Sequence, residues 1–232
     1  MIDFHSHILP GIDDGSPDVE TSLRMISALQ TQGVDTICAT SHFYATERTP
    51  ERFLFRRQEA FDRLKAALPA DAPRILLGAE VLFFPGISHM EELPALCLEG
   101  TDLLLLEMPF DSWTDYTIRE VMELACSGRY MILMAHIERY FFQQPVSVWD
   151  DFLNKGILMQ SNADFFLRFS TRRKAFRLLR EGRIHLLGTD CHNMSSRAPR
   201  MEAALRRIRK RFGEEWLTEM DGLGRSLLKV KV

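Results

Sequence analysis

Short apolar runs recur along the chain at Ile2 to His5, Asp35 to Ser41, Arg74 to Glu80, Asp102 to Met108, Met131 to His136, Ile157 to Asn162 and Ile184 to Thr189. Each is followed by a stretch whose apolar positions repeat with helical spacing. Ser16-Pro17-Asp18 opens one such stretch and Gly33 closes it, while Gly128, Gly156 and Gly182 close later ones. Strands this apolar, alternating with helices, predict a parallel sheet covered on both faces. No G-x-G-x-x-G follows the first run, so the pattern predicts a barrel rather than a dinucleotide-binding fold. The expected class is α/β, with seven strands in a barrel like the TIM fold.

The polar positions that interrupt this pattern fall at the ends of the runs: His5 with His7, then His42, Glu80, Glu107, His136, Asn162, and Asp190 with His192. Side chains alternate along a strand, so His5 and His7 can face one shared partner, for which a metal ion is the natural choice. In a parallel barrel all strand C-termini meet on one rim, where barrel enzymes keep their active sites. Five of the seven histidines sit at these ends, whereas His89 and His185 read as surface or structural residues. Taken singly, each polar residue could be a hydrogen-bonded strand cap. Taken together, Asp14, Glu80, Glu107 and Asp190 in one cleft would repel one another unless cations neutralised them. Imidazole and carboxylate ligands without thiolate suit Mn²⁺, Fe²⁺ or Zn²⁺ better than Ca²⁺ or Mg²⁺. Three divalent ions would outweigh the four carboxylates and leave a field that attracts a phosphate dianion.

Composition narrows the setting. A chain of 232 residues with 46% hydrophobic content can bury a sizeable core, and one domain over 1–232 is expected. No basic N-terminal region precedes an apolar stretch, and no run approaches the roughly 18 apolar residues of a membrane span, which suggests a soluble cytoplasmic protein. Cys38, Cys97, Cys126 and Cys191 lie far apart and form no C-x-x-C pair, as suits a reducing compartment. A net charge of -3 argues against nucleic acid as a general partner. Arg172-Arg173-Lys174 and the stretch from Arg197 to Arg211 are locally basic and read as solvated helix faces.

The segments "IDFHSHILPGIDDG" at Ile2 to Gly15, "GAE" at Gly78 to Glu80, "AHIERY" at Ala135 to Tyr140 and "TDCHN" at Thr189 to Asn193 resemble the polymerase and histidinol phosphatase superfamily. They are most similar to its branch of bacterial manganese-dependent tyrosine phosphatases. The resemblance implies a distorted seven-stranded βα barrel with three divalent ions, Mn²⁺ foremost and Fe²⁺, Co²⁺ or Zn²⁺ as alternatives. It implies one ion on His5, His7, Glu80 and Asp190, with Glu80 bridging to a second on Glu107 and His136, and a third on Asp14, His42 and His192. Asp13, beside Asp14, offers the same chemistry. By the same resemblance, Glu107 stands where the histidinol-phosphatase branch looks to have a histidine, which favours the tyrosine-phosphatase branch. Two departures are Met220-Asp221-Gly222, where relatives often carry Asn-Pro, and the lack of a further histidine soon after His42.

The implied reaction is phosphomonoester hydrolysis, with hydroxide held between metals as nucleophile. Arg139 and Arg197 would bind the phosphoryl oxygens, for which the planar guanidinium is suited. Otherwise Arg139 is a surface residue pairing with Glu138. The implied partner is a phosphotyrosine-bearing protein, the C-terminal tail of a bacterial tyrosine kinase of capsule or exopolysaccharide synthesis, which would draw the enzyme near the membrane. A homo-oligomer is compatible with this. Three rival readings remain: a phosphatase for a small molecule such as histidinol phosphate, a non-catalytic barrel that binds through its basic helices, and a cysteine-dependent phosphatase. The last rests on Cys191 and Arg197, spaced C-x5-R but with no glycine between them to cradle phosphate.

Overall fold

All the apolar runs fold as strands: β1 (Ile2–Ser6), β2 (Thr36–Ala39), β3 (His42–Phe43), β4 (Arg74–Leu77), β5 (Glu80–Leu82), β6 (Leu103–Glu107), β7 (Met131–Met134), β8 (Leu158–Asn162) and β9 (Leu186–Gly188). The computed structural model describes residues 1–229. Nine strands therefore stand where seven were expected, because after the second run and at the end of the third the chain breaks and resumes as a further short strand, β3 and β5. The first break has a local cause. Thr40 Oγ1 accepts from Ser6 N at 3.2 Å while Thr40 N donates to Ser6 O at 2.9 Å, so this residue takes ladder partners with its side chain as well as its backbone. The ladder resumes one step on, where Glu80 N donates to Ser41 O at 3.0 Å and His42 pairs with Glu80.

All pairings are parallel. They run β1-β2-β4 in one sheet and β3-β5-β6-β7-β8-β9 in the other. Asp190 N donates to His5 O at 2.7 Å and His7 N to Cys191 O at 2.9 Å, so β1 also meets the chain leaving β9. First and last strands are thereby adjacent, and the residues just past their C-terminal ends share one rim.

The outer layer is helical: α1 (Val19–Thr31), α2 (Pro50–Lys65), α3 (Asp115–Cys126), α4 (Val146–Asn154), α5 (Arg172–Arg180), α6 (Met201–Phe212) and α7 (Glu214–Leu227). Asp18 caps α1 by accepting from Thr21 N at 2.7 Å, at the helix start read from Ser16-Pro17-Asp18. Leu103 to Leu106 are wholly buried between the layers, each such side chain contributing about 1.5–3 kcal/mol. Trp149, Phe152, Phe53 and Phe166 fill the gaps between helices and sheet. No helix among the described residues is long and apolar enough to cross a membrane.

Candidate metal centre

The alternation of β1 puts Ile2 and Phe4 on one face and Asp3 and His5 on the other. All four are buried. Asp3 accepts from Thr189 N at 2.8 Å and from its hydroxyl at 2.6 Å, tying β1 to the end of β9 beneath the rim. Burial raises its carboxyl to about 6, against the lowering effect of the Thr189 bonds. Above it, ring nitrogens and carboxylate oxygens gather in four groups: His7, Asp14, His42 and His192; His5, His7 and Asp190; His5, Glu80 and His136; and His42, Glu80 and Glu107. All nine residues expected as ligands are in these groups. Their sharing is closer than expected, since His7 also joins the group of Asp14, and His42 that of Glu107.

The orientation of the imidazoles is informative. His5 Nδ1 is 3.2 Å from Gln160 Oε1, His7 Nδ1 is 2.8 Å from Asp13 Oδ2, and His192 Nδ1 is 3.0 Å from the Asp190 carbonyl oxygen. Each acceptor can take the Nδ1 proton, so that when the ring is neutral its Nε2 lone pair is aimed at the centre, where a bound cation would replace the Nε2 proton. His5 Nε2 and His7 Nε2 stand 3.1 Å apart, and both lie close to Glu80 Oε2, at 3.1 and 3.2 Å. Glu80 Oε2 is also 2.9 Å from His42 Nδ1, yet neither of these buried atoms makes a hydrogen bond. His192 Nε2 is likewise buried and unpartnered. Buried nitrogens and oxygens crowded to about 3 Å, three of them (Glu80 Oε2, His42 Nδ1 and His192 Nε2) without a hydrogen-bond partner, are arranged as ligands around shared cations are, and the oxygen and imidazole set fits divalent transition metals.

The fields agree with this geometry. Burial alone would raise the Glu80 carboxyl, but the charge of His5 and the contact of Glu80 Oε1 with His136 Nε2 at 2.7 Å, with His42 close by, hold it well below the usual carboxylate range. Asp190 is held down in the same way by His5 and His7. Burial and the neighbouring His7 charge push His192 down to about 3, which keeps it neutral and able to ligate.

Two of these residues sit in strained backbone. His136 has φ +27° and Asp190 φ +51°, and neither is glycine. The first is secured by the rest of "AHIERY": the Tyr140 hydroxyl donates to the Ala135 carbonyl, and its ring lies parallel to Trp149 at 6.1 Å. The close approach of two glycines lets the first two histidines seat. A Cβ on Gly15 would stand 2.5 Å from His7 Cβ, and one on Gly188 would stand 2.5 Å from His5 Cβ.

Arg139 donates to Asp190 Oδ2, and Arg197 to Asp190 Oδ1 at 2.7 Å, with its other terminal nitrogen 3.7 Å from Asp14. Both line a cleft of about 220 Å³ beside Asn162, Thr189 and Asp190. Glu138 does not pair with Arg139; it accepts from Asn162 N at 3.0 Å, and burial raises its carboxyl. The exposed ring of Phe110 lies 5.7 Å from the Arg139 guanidinium carbon and 6.0 Å from the His136 ring.

The sequence profile of the CpsB/CapC family, described as capsular polysaccharide synthesis, matches residues 1–221. The chain belongs to the CpsB/CapC family. Tyrosine-protein phosphatase YwqE of Bacillus subtilis (strain 168) is 32% identical over 226 residues, covering 93% of this chain and 86% of that protein. Tyrosine-protein phosphatase CpsB of Streptococcus agalactiae serotype V is 30% identical over 234 residues, covering 93% and 92%. A solved structure from work on YwqE of Bacillus subtilis and CpsB of Streptococcus pneumoniae, called unique metal-dependent tyrosine phosphatases, matches with TM-score 0.86 and 26% identity over 100% of this chain and 96% of that one.

Against that family background, the structure separates the two aspartates of this CpsB/CapC chain that the sequence left side by side, and adds a residue the sequence reading missed, Gln160. The Asp13 side chain is buried and orients His7 while accepting from His42 N at 2.9 Å, whereas its neighbour Asp14 is the largely exposed member of the cluster. Gln160 binds His5 and also accepts from His136 N at 2.7 Å; its amide donates to Asn162, whose own amide donates to Asp190 at 2.8 Å. Asn162 is among the polar residues read at the strand ends; Gln160, two positions earlier on the same face of β8, could have been flagged by that spacing. Cys191 is no free nucleophile. It is wholly buried, burial and nearby Asp3 push its thiol up to about 12, and Arg197 is turned to Asp190. His185 is structural, its Nδ1 accepting from Met159 N at 3.0 Å, and His89 is exposed.

Proposed function

We propose that this CpsB/CapC chain is a metal-dependent protein-tyrosine phosphatase of capsule or exopolysaccharide synthesis, folded as one domain over 1–232. In this reading β2 with β3, and β4 with β5, count as single kinked strands of a seven-stranded barrel. The observation that carries it is the convergence of unbonded ring nitrogens and carboxylate oxygens beside two arginines at an open cleft. Three divalent ions, Mn²⁺ foremost, would be held by His5, His7, Asp14, His42, Glu80, Glu107, His136, Asp190 and His192. Bound there, they would supply Lewis acidity and a water of lowered pKa.

The chain's own residues account for binding and orientation. Asp190 holds one nitrogen of each arginine, fixing the guanidinium planes and leaving other N–H groups for the phosphoryl oxygens. These donors strengthen as charge builds on the phosphoryl group. Water oxygen bonds to phosphorus, the ester P–O bond breaks, and the tyrosine phenol departs. With a phenol pKa near 10, this leaving group needs less protonation than an alkyl alkoxide. Phe110 offers an exposed aryl face beside Arg139 and His136. The substrate in this reading is the phosphorylated C-terminal tail of a bacterial tyrosine kinase, met in the cytoplasm close to the membrane.

The test is a phosphatase assay on phosphotyrosine peptides, histidinol phosphate and a phosphodiester, after chelation and with Mn²⁺, Fe²⁺, Co²⁺ or Zn²⁺ restored. Activity on the peptides should vanish with chelator and return with metal. Full activity in protein shown to be metal-free would overturn the reading, and preference for histidinol phosphate would move the chain to the small-molecule class.

A further inference from the structure

A second concentration of charge lies along α5, outside the cleft. Arg172, Arg173, Arg177 and Arg180, with Arg211 from the end of α6, line a groove of about 370 Å³. Phe176 and Phe212 form its apolar floor, their rings 5.8 Å apart. No carboxylate lines it. Arg177 reaches Glu181 only at 3.9 Å, and among the described residues the other four arginines form no ion pair. Arg139 and Arg197 differ in this respect, both being bound to Asp190. The chain as a whole carries -3, so the groove runs against the overall balance. It is also contiguous with the cleft along the chain: Arg168 and Thr171 line the cleft, and Arg172, the next residue, opens α5 and lines the groove.

We infer that the groove binds the substrate polypeptide beside its phosphotyrosine and selects acidic residues there, an inference that rests on the phosphatase reading above. Unpaired guanidinium groups over an apolar concavity raise the local concentration of anionic chains. The groove also fits a peptide better than a bilayer, because a concave apolar floor takes side chains, whereas a membrane contact needs apolar groups that project. Helix α5 is about 13 Å long, which an extended peptide spans in about four residues. The selected acids therefore lie within a few positions of the phosphotyrosine, on one side of it.

Two phosphotyrosine peptides decide the matter, one with glutamates on both sides and one with serines. Each is measured by turnover with Mn²⁺ and by fluorescence anisotropy in metal-free protein, which reads the groove even where hydrolysis fails. The variant is Arg173→Ala/Arg177→Ala/Arg180→Ala, with Arg211→Ala as a second site off α5 and thermal melting to confirm folding. The expected result is tighter binding and higher kcat/KM for the acidic peptide, through KM, with a loss of about tenfold in the triple variant and a smaller one in Arg211→Ala. The serine peptide and p-nitrophenyl phosphate should be unaffected. Raised salt should erase the preference. Equal binding of the two peptides, or a folded triple variant that keeps the preference, overturns the inference. So does loss of the variant's sedimentation with phosphatidylserine vesicles while peptide selectivity persists, which would make the groove a membrane contact. Failure of the phosphatase reading is a separate result: no metal-dependent turnover of either peptide.

Discussion

At the residue scale, Arg139 and His136 lie three positions apart on one loop and have different tasks. On the proposed function, Arg139→Ala removes phosphoryl-oxygen donors and one bond to Asp190, which Arg197 and Asn162 still hold, so bound metal should be little changed while kcat/KM falls about a hundredfold, or about 2.7 kcal/mol. Arg139→Lys should lie between the two, restoring charge without the planar fork. His136→Ala deletes a member of the His5 and Glu80 group, so its deficit should ease with excess Mn²⁺. Bound metal and steady-state kinetics of the three variants check this; an Arg139→Ala within about threefold of wild type would make that residue structural. Ligand types at strand ends were legible in the sequence because a parallel barrel gathers those ends on one rim. The supports were not. Gln160 reaches both His5 and His136, and Asp13 differs from Asp14 only in which way its loop turns it, so both depend on packing between distant segments.

At the scale of elements, the seven apolar runs were legible because runs so apolar fit only strands buried on both faces. The break after Ala39 was not, because it follows from the Thr40 side chain joining the ladder, which no spacing encodes. The end of β9 offers a test of how tightly the elements fit. An added methyl at Gly188 would press on His5 Cβ at 2.5 Å and Gln160 Nε2 at 2.8 Å, the side chain that orients His5 and His136. Gly188→Ala should therefore destabilise by about 1–3 kcal/mol, lowering Tm by several degrees, and should weaken metal binding as well. Gly222→Ala on α7 is the matched control, since nothing stands within 4 Å of its added methyl. Helix propensity predicts a gain of up to about 1 kcal/mol there. Melting curves of the two variants decide it; equal Tm values would mean that β9 yields easily.

At the scale of the whole molecule, the ligand groups join residues from His5 to His192, on the two segments that meet where β1 lies beside the chain leaving β9. Cations there bind the folded state and not the unfolded one, and a ligand at about a hundred times its Kd adds about 2.7 kcal/mol. For a chain of this size that is a rise in Tm of roughly 5–10 °C. The effect should depend on pH, because protons compete for the same atoms. Burial alone would lower His136, but its hydrogen bonds to Glu107 and Glu80 outweigh this and raise it from 6.5 to about 9; His7 is raised too, by Asp13 above all. For a group raised on folding, the stability it adds is complete below 6.5 and is lost as pH climbs through its folded value. The metal-free protein should therefore lose stability between pH 6.5 and about 9. Over the same interval metal binds more tightly, since fewer protons need displacing. The gap in Tm between Mn²⁺-loaded and chelated protein should widen from pH 6.5 to pH 8, as differential scanning calorimetry would show. His136→Ala should flatten that widening. A gap that narrows with pH, or no Tm response to Mn²⁺ in the wild-type chain, would remove these residues from the metal site.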